Sequence, residues 1–259
     1  MFINDDDNSF RTYLKAGTEN LEKTLAGQSP FLNMMDNLDL FIRNHVIKLG
    51  VIPDDFIVHS LRVNARFMLM IAFRIGLTGH AAGVYPTLRT ALETACYALI
   101  MSKDKLLVDK WVGRNDSPEG MKACKSAFQS PIKKAQKIMN AQRSNYGDVM
   151  YQLYDWTIDF GAHPNPKTVT LHARLSDDEG SGVTRYENIA LYGDGSFEFE
   201  RTLFACIEMG LVTIIALLMS YENTSPESIQ GLNALNEEKD RLEALIRKNH
   251  EVQSARKNG

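Results

Sequence analysis

Gly79-His80-Ala81-Ala82-Gly83-Val84-Tyr85-Pro86-Thr87-Leu88-Arg89-Thr90-Ala91-Leu92-Glu93-Thr94-Ala95-Cys96-Tyr97 is an apolar helical pattern that carries ionic groups. Tyr85, Arg89, Glu93 and Tyr97 recur every fourth residue, which places them on one stripe of a helix beside the apolar stripe of Leu88, Leu92 and Leu99. Burying a charge is costly unless it is paired. An Arg and a Glu at i, i+4 inside a core-like helix therefore predict a fixed, buried polar network, and this network is the first candidate binding site.

Outward from this stretch, three-to-four-residue apolar spacing recurs along most of the chain, with Gly, Pro and Ser at the joints. The spacing predicts helices over Phe10 to Leu25, Phe31 to Leu49 with Gly50 as a left-handed cap, Asp54 to Leu77 after Pro53, and His80 to Met101. Further helices are expected over Lys103 to Val112, from Ser117-Pro118-Glu119 onward with a break at Ser130-Pro131, and over Asn145 to Phe160. The texture then changes. Val169, Leu171, Ala173 and Leu175 alternate with polar residues, Asp177 to Gly182 is turn material, and Val183 to Tyr192 reads as a returning strand. Helix resumes from about Ser196 to Tyr221. Pro226 opens a last helix whose Leu232, Leu235, Leu242, Leu245 and Ile246 form a heptad-like stripe too short to stand alone, suited to self-association or docking.

The expected fold is therefore mainly α: a helical arm over 1–29, a bundle over 30–222 with a small inserted β-hairpin near 168–192, and an amphipathic helix over 226–259. A chain of 259 residues can bury a sizeable core, and 44% hydrophobic with 24% charged residues is ordinary for a soluble protein. A net charge of −3 provides no general attraction to nucleic acid or anionic membranes. Cys96, Cys124 and Cys206 are odd in number and set in apolar helical contexts, so they read as reduced core thiols of a cytoplasmic protein. The acidic start Met1 to Asp7 does not read as a signal peptide. Phe204 to Ser220 imitates a membrane span but is interrupted by Glu208 and Gly210, so no membrane partner is expected.

Two more constellations stand out. Asp155, Asp159 and His163 are spaced i, i+4, i+8, and His163 falls where Gly161 and Pro164 stop a helix; with Arg89 and Glu93 they would line a partly apolar pocket suited to acid/base chemistry or to structural ion pairing. Glu208 is a lone carboxylate amid Phe204, Ile207, Leu211 and Ile214, for which Arg62, Arg66, Arg74 or Arg89 are the expected partners. No paired Glu-x-x-His spacing, zinc spacing, phosphate-binding loop or nucleophile elbow is present, so no metal or cofactor is expected. Lys122, Lys125, Lys133, Lys134, Lys137 and Arg143 make the one strongly basic region. It reads either as a solvated helix face or as a phosphate-contacting surface, without the interleaved aromatics that stack on bases.

Arg74 and His80 are separated by five residues, within the spacing of the Arg and His of HEPN-superfamily ribonucleases, in which the pair would act on the ribose hydroxyl and the scissile phosphate; here Ile75 follows the Arg, and Gly76 and Gly79 lie between. More widely, Leu88-Arg89-Thr90-Ala91-Leu92-Glu93, then Trp111-Val112-Gly113-Arg114, then an aromatic helix ending in Gly161-Ala162-His163-Pro164 resembles a group of uncharacterised bacterial all-helical proteins with a HEPN-like bundle, over about residues 60–220. The resemblance implies the bundle and leaves activity open. The function expected is a non-catalytic binding or interaction protein with Arg89, Glu93, Tyr97, Asp159 and His163 as binding residues, and a homo-oligomer or a protein partner is anticipated. The alternative, carried by the resemblance, is a metal-independent endoribonuclease of phage defence or a toxin system, with His80 and Arg74 catalytic and RNA as partner.

Overall fold

The computed structural model describes residues 9–48, 55–142, 145–162, 166, 170, 172–178 and 183–257. Its helices are α1 (Phe10–Ala26), α2 (Pro30–Phe41), α3 (Phe56–Leu77), α4 (Ala81–Lys103), α5 (Leu106–Val112), α6 (Pro118–Ala127), α7 (Pro131–Gln142), α8 (Tyr146–Thr157), α9 (Phe197–Met219) and α10 (Pro226–Lys257). The protein is mainly α. Two π-turns, Ile42–Ile47 and Ile158–Ala162, extend α2 and α8.

Local chemistry sets most helix starts. The side chains of Ser9, Ser29, Ser117 and Ser196 each accept a backbone N–H from the first turn, and Asp55 Oδ1 accepts both Ile57 N and Val58 N at 3.0 Å. Pro30 and Pro118 occupy first-turn positions, where the missing N–H is not needed. The left-handed exit expected at Gly50 is taken instead by Lys48 (φ 53°), because the π-turn closes two residues earlier; Gly50 lies outside the described residues.

The α3–α4 hairpin is the spine, and its turn depends on a glycine. Gly79 has φ +87° and accepts Tyr192 N at 3.0 Å, and a Cβ there would sit 2.4 Å from the Tyr192 carbonyl oxygen. α9 packs across both spine helices, α7 and α8 cover α4, and α2 lies against α9. The core of Leu69, Leu88, Leu92, Leu99, Leu203 and Ile207 is closed to solvent. At about 25 cal/mol per Å² of buried apolar surface, this core is the main stabilising contribution. Cys96, Cys124 and Cys206 are buried and unpaired.

α1 lies on the α3–α4 turn. Tyr13 meets the His80 ring edge-on at 4.9 Å, and Asn20 Nδ2 donates to the carbonyls of Thr78 and Tyr192. The apolar stripe of α10 docks on α2 and α9 of its own chain: Leu235 and Leu242 are buried, Gly231 abuts Phe41, and Asn37 donates to the Glu238 carboxylate. Within 168–192, strands β1 (Ala173–Asp178) and β2 (Val183–Asn188) pair antiparallel, and none of their described residues is buried. This corrects the expected boundaries. Pro166 and Thr170 are helical, with Thr170 Oγ1 donating to the Pro166 carbonyl, and Asp177 and Asp178, read as turn material, are paired with Thr184 and Val183.

α3 and α9 are long and apolar enough to cross a membrane; 72% of the most apolar window of α9 is buried inside the bundle, against 39% for α3.

Candidate functional site

The stripe read from the sequence organises one side of the bundle. Arg89 Nε donates to Glu93 Oε1 at 2.9 Å, Arg89 Nη2 donates to the Tyr154 hydroxyl, and that hydroxyl donates to Glu93 Oε1 at 3.0 Å. The Arg89 guanidinium also lies 4.6 Å from the Tyr154 ring centroid. α4 and α8 are thus joined by a triangle whose polar groups answer one another. The expectation of a buried network needs correcting: the side chains of Arg89 and Glu93 are 21% and 36% exposed, because the stripe runs along the edge of the core beside Leu88 and Leu92. Burial and the Glu93 charge push the Tyr154 phenol up to about 12, so it stays protonated and able to donate.

The other candidates fall around this triangle in different ways. Tyr97 takes no part in it, and its ring stacks on Phe128 at 4.6 Å and 3°. Asp159 belongs to the π-turn after α8 and lines a separate cavity, while Asp155 is exposed. His163 lies outside the described residues. Arg74 is exposed; His80 is half-buried at the start of α4, with Nδ1 2.7 Å from the Thr78 hydroxyl and its ring against Tyr13. Burial holds the His80 imidazole below its ordinary range. The lysines of α6 and α7 face solvent while Cys124, Phe128, Ile132, Ala135 and Met139 face the core, an arrangement common to a solvated helix face and a phosphate-contacting surface. Among the described residues, no three His, Cys, Asp or Glu side chains gather as metal ligands.

Two hollows flank the stripe. A groove of about 550 Å³ lies between α3, α4 and α5, lined by Phe56, Leu61, Glu93, Tyr97, Trp111 and Arg114. A cavity of about 450 Å³ lies at the other end, lined by Tyr85, Trp156, Asp159, Phe160, Arg201, Phe204 and Glu208. Its wall is shaped by a close approach: Pro86 has no N–H to offer the Ala82 carbonyl, and Gly161 comes so near that a Cβ would stand 3.1 Å from that oxygen. Burial pushes the Tyr85 phenol up to about 12.

Glu208 in this cavity does not pair with the arginines expected from the sequence. Arg62 donates to Ser220 Oγ and to the Ser220 carbonyl at the end of α9, Arg66 pairs with Asp39 at 2.7 Å, and Arg89 pairs with Glu93. The cation acting on Glu208 is Lys239 of α10, whose ammonium sits 2.5 Å from Asp240 Oδ1. Burial raises the Glu208 carboxyl above its ordinary range.

Arg201 is the cavity residue that periodicity missed. Its Nη2 is 2.5 Å from Glu198 Oε2, but Arg201 Nε and Nη2 and Glu198 Oε2 are shut off from solvent without a well-formed hydrogen bond, the angles being poor. His172 Nε2 is in the same state, while its Nδ1 lies 2.9 Å from the Tyr192 hydroxyl. The available signal was the seven-residue spacing of Arg201 and Glu208, which sets both on one face of α9. Comparison with protein-family models, curated proteins and solved structures returns no match.

Proposed function

We infer that this is a non-catalytic binding protein, in which the Arg89–Glu93–Tyr154 triangle is a fixed frame between two recognition hollows. The observation that supports this most is the closure of the triangle: Arg89 Nε and Nη2, the Tyr154 hydroxyl and Glu93 Oε1 bond to one another. A general acid or base needs a free lone pair or proton facing a reactant. Nδ1 of His80, the other acid/base candidate, is taken by the Thr78 hydroxyl, its ring packs against Tyr13, and the exposed Arg74 has no described contact with it. The groove and the cavity, by contrast, combine apolar walls with a few polar groups, as binding sites do.

The test is an RNA-cleavage assay with purified protein in the presence of a chelator. The binding reading expects intact single-stranded RNA. Cutting that disappears in His80→Ala, with the helical circular-dichroism signal retained, overturns it in favour of the HEPN-like ribonuclease.

A further inference from the structure

We propose that the cavity between α4, α8 and α9 binds a small organic cation, an amine with an apolar or aromatic body, whose ammonium pairs with Glu208 while its body rests among Trp156, Phe160 and Phe204. This rests on the binding reading above and names the ligand class of one of its two hollows.

Three observations carry it. Glu208 makes no hydrogen bond or ion pair among the described residues, although it lines a largely apolar cavity. An unpaired, half-buried carboxylate is costly, and a cationic ligand would supply what the fold withholds. Lys239 does not fill this role, since its ammonium is held by Asp240 at 2.5 Å and by Glu243 at 3.8 Å. The second observation is the lining. Tyr85, Trp156, Phe160 and Phe204 surround a volume of about 450 Å³, within the range of small-molecule sites; the Phe160 ring faces the Arg201 guanidinium at 4.9 Å, and the other aromatic walls favour a cation through their ring quadrupoles.

The third observation decides the sign of the ligand. Arg201 also lines the cavity and would otherwise suggest an anion, but its Nε and Nη2 atoms are closed to solvent and its charge is matched by Glu198. The Glu208 oxygens are not closed off in this way. With Arg201 matched by Glu198, Glu208 is the cavity charge that makes no ion pair among the described residues, and it is negative.

Phenethylamine and phenylacetate, which share a ring and differ in charge, separate the readings by calorimetric titration of the full chain. We expect phenethylamine to bind at least tenfold more tightly than phenylacetate, and Glu208→Gln to weaken it by roughly tenfold or more with helicity retained and the melting temperature not lowered. Ala205→Trp, which fills the cavity wall, should also abolish binding. Equal or tighter binding of phenylacetate, no binding of either compound, or full binding by Glu208→Gln overturns the proposal. If RNA stays intact under those results, the binding reading survives without this ligand class; if RNA is cut through His80, the binding reading itself fails.

Discussion

Around Arg89 the guanidinium, the Tyr154 hydroxyl and Glu93 Oε1 meet within hydrogen-bond reach, whereas around Glu208 and Arg201 the polar atoms are left under-satisfied at the edge of a cavity. Both regions are built on helices of the same bundle and both contain an Arg and carboxylates. The difference is one of closure. Folding alone suffices to rationalise the first, since the triangle ties α4 to α8, but it leaves a cost unexplained in the second. Ionic groups that satisfy one another point to architecture, and those left wanting a partner beside open space point to a ligand.

The largest effect that sharpens this contrast is Leu92→Ala. Leu92 is closed to solvent between the two ends of the Arg89–Glu93 pair, and its truncation should cost about 2–5 kcal/mol. Trp156→Ala, at a cavity rim where the side chain is 44% exposed, should cost under about 1 kcal/mol despite removing a larger side chain. Urea unfolding of the two variants checks this, and equal losses would erase the distinction between a closed and an open region.

Next is the triangle itself. Because the pair is partly solvated, Arg89→Ala should cost about 1–2 kcal/mol, less than the 3–5 kcal/mol that breaking a fully buried pair costs. Tyr154→Phe should cost about 1 kcal/mol. A double-mutant cycle between them should show coupling above about 0.5 kcal/mol, and strict additivity would mean that the triangle is three neighbours and not one unit.

The smallest effect is the pH response. Glu208 is held above its ordinary 4.5, so the folded chain keeps that proton more tightly than the unfolded chain, and stability falls as pH rises above 4.5 through the folded value. His59, His80 and His172 are held below their ordinary 6.5, mainly by burial, so the unfolded chain takes up their protons first and stability falls as pH drops below 6.5. Glu208→Gln should remove the first slope and leave the second. Melting temperatures followed across this range check the assignment, and an unchanged profile in Glu208→Gln removes Glu208 as the group responsible.

What the sequence made legible was what local chemistry decides. The start of α6 is written in Ser117-Pro118, and the stripe from Tyr85 to Tyr97 follows from helical period, so both the mainly α architecture and the Arg89–Glu93 contact could be read directly. Tyr154 could not, because its approach depends on how α8 packs on α4, sixty-odd residues away in the chain. The partner of Glu208 was misjudged for the same reason: Arg62 is drawn to the carbonyl end of α9 and Arg66 to Asp39, which only the packing reveals. Thr170 joins a helical turn although the alternation around it has the period of a strand, a reminder that alternation over a few residues fits either state.

The turn at Gly79 also says something about the order of assembly. Asn20 donates to the carbonyl of Thr78, 58 residues away, and to that of Tyr192, 172 residues away, while Tyr192 itself donates to Gly79. Three remote stretches of chain meet at one corner, so the corner cannot be finished until the segment leading into α9 has arrived. Contacts of such long sequence separation form slowly, and a seam that closes late is the first to open. Loss of the Asn20 amide should therefore quicken unfolding more than it slows folding, with α1 lifting away while the α3–α4 spine is still intact.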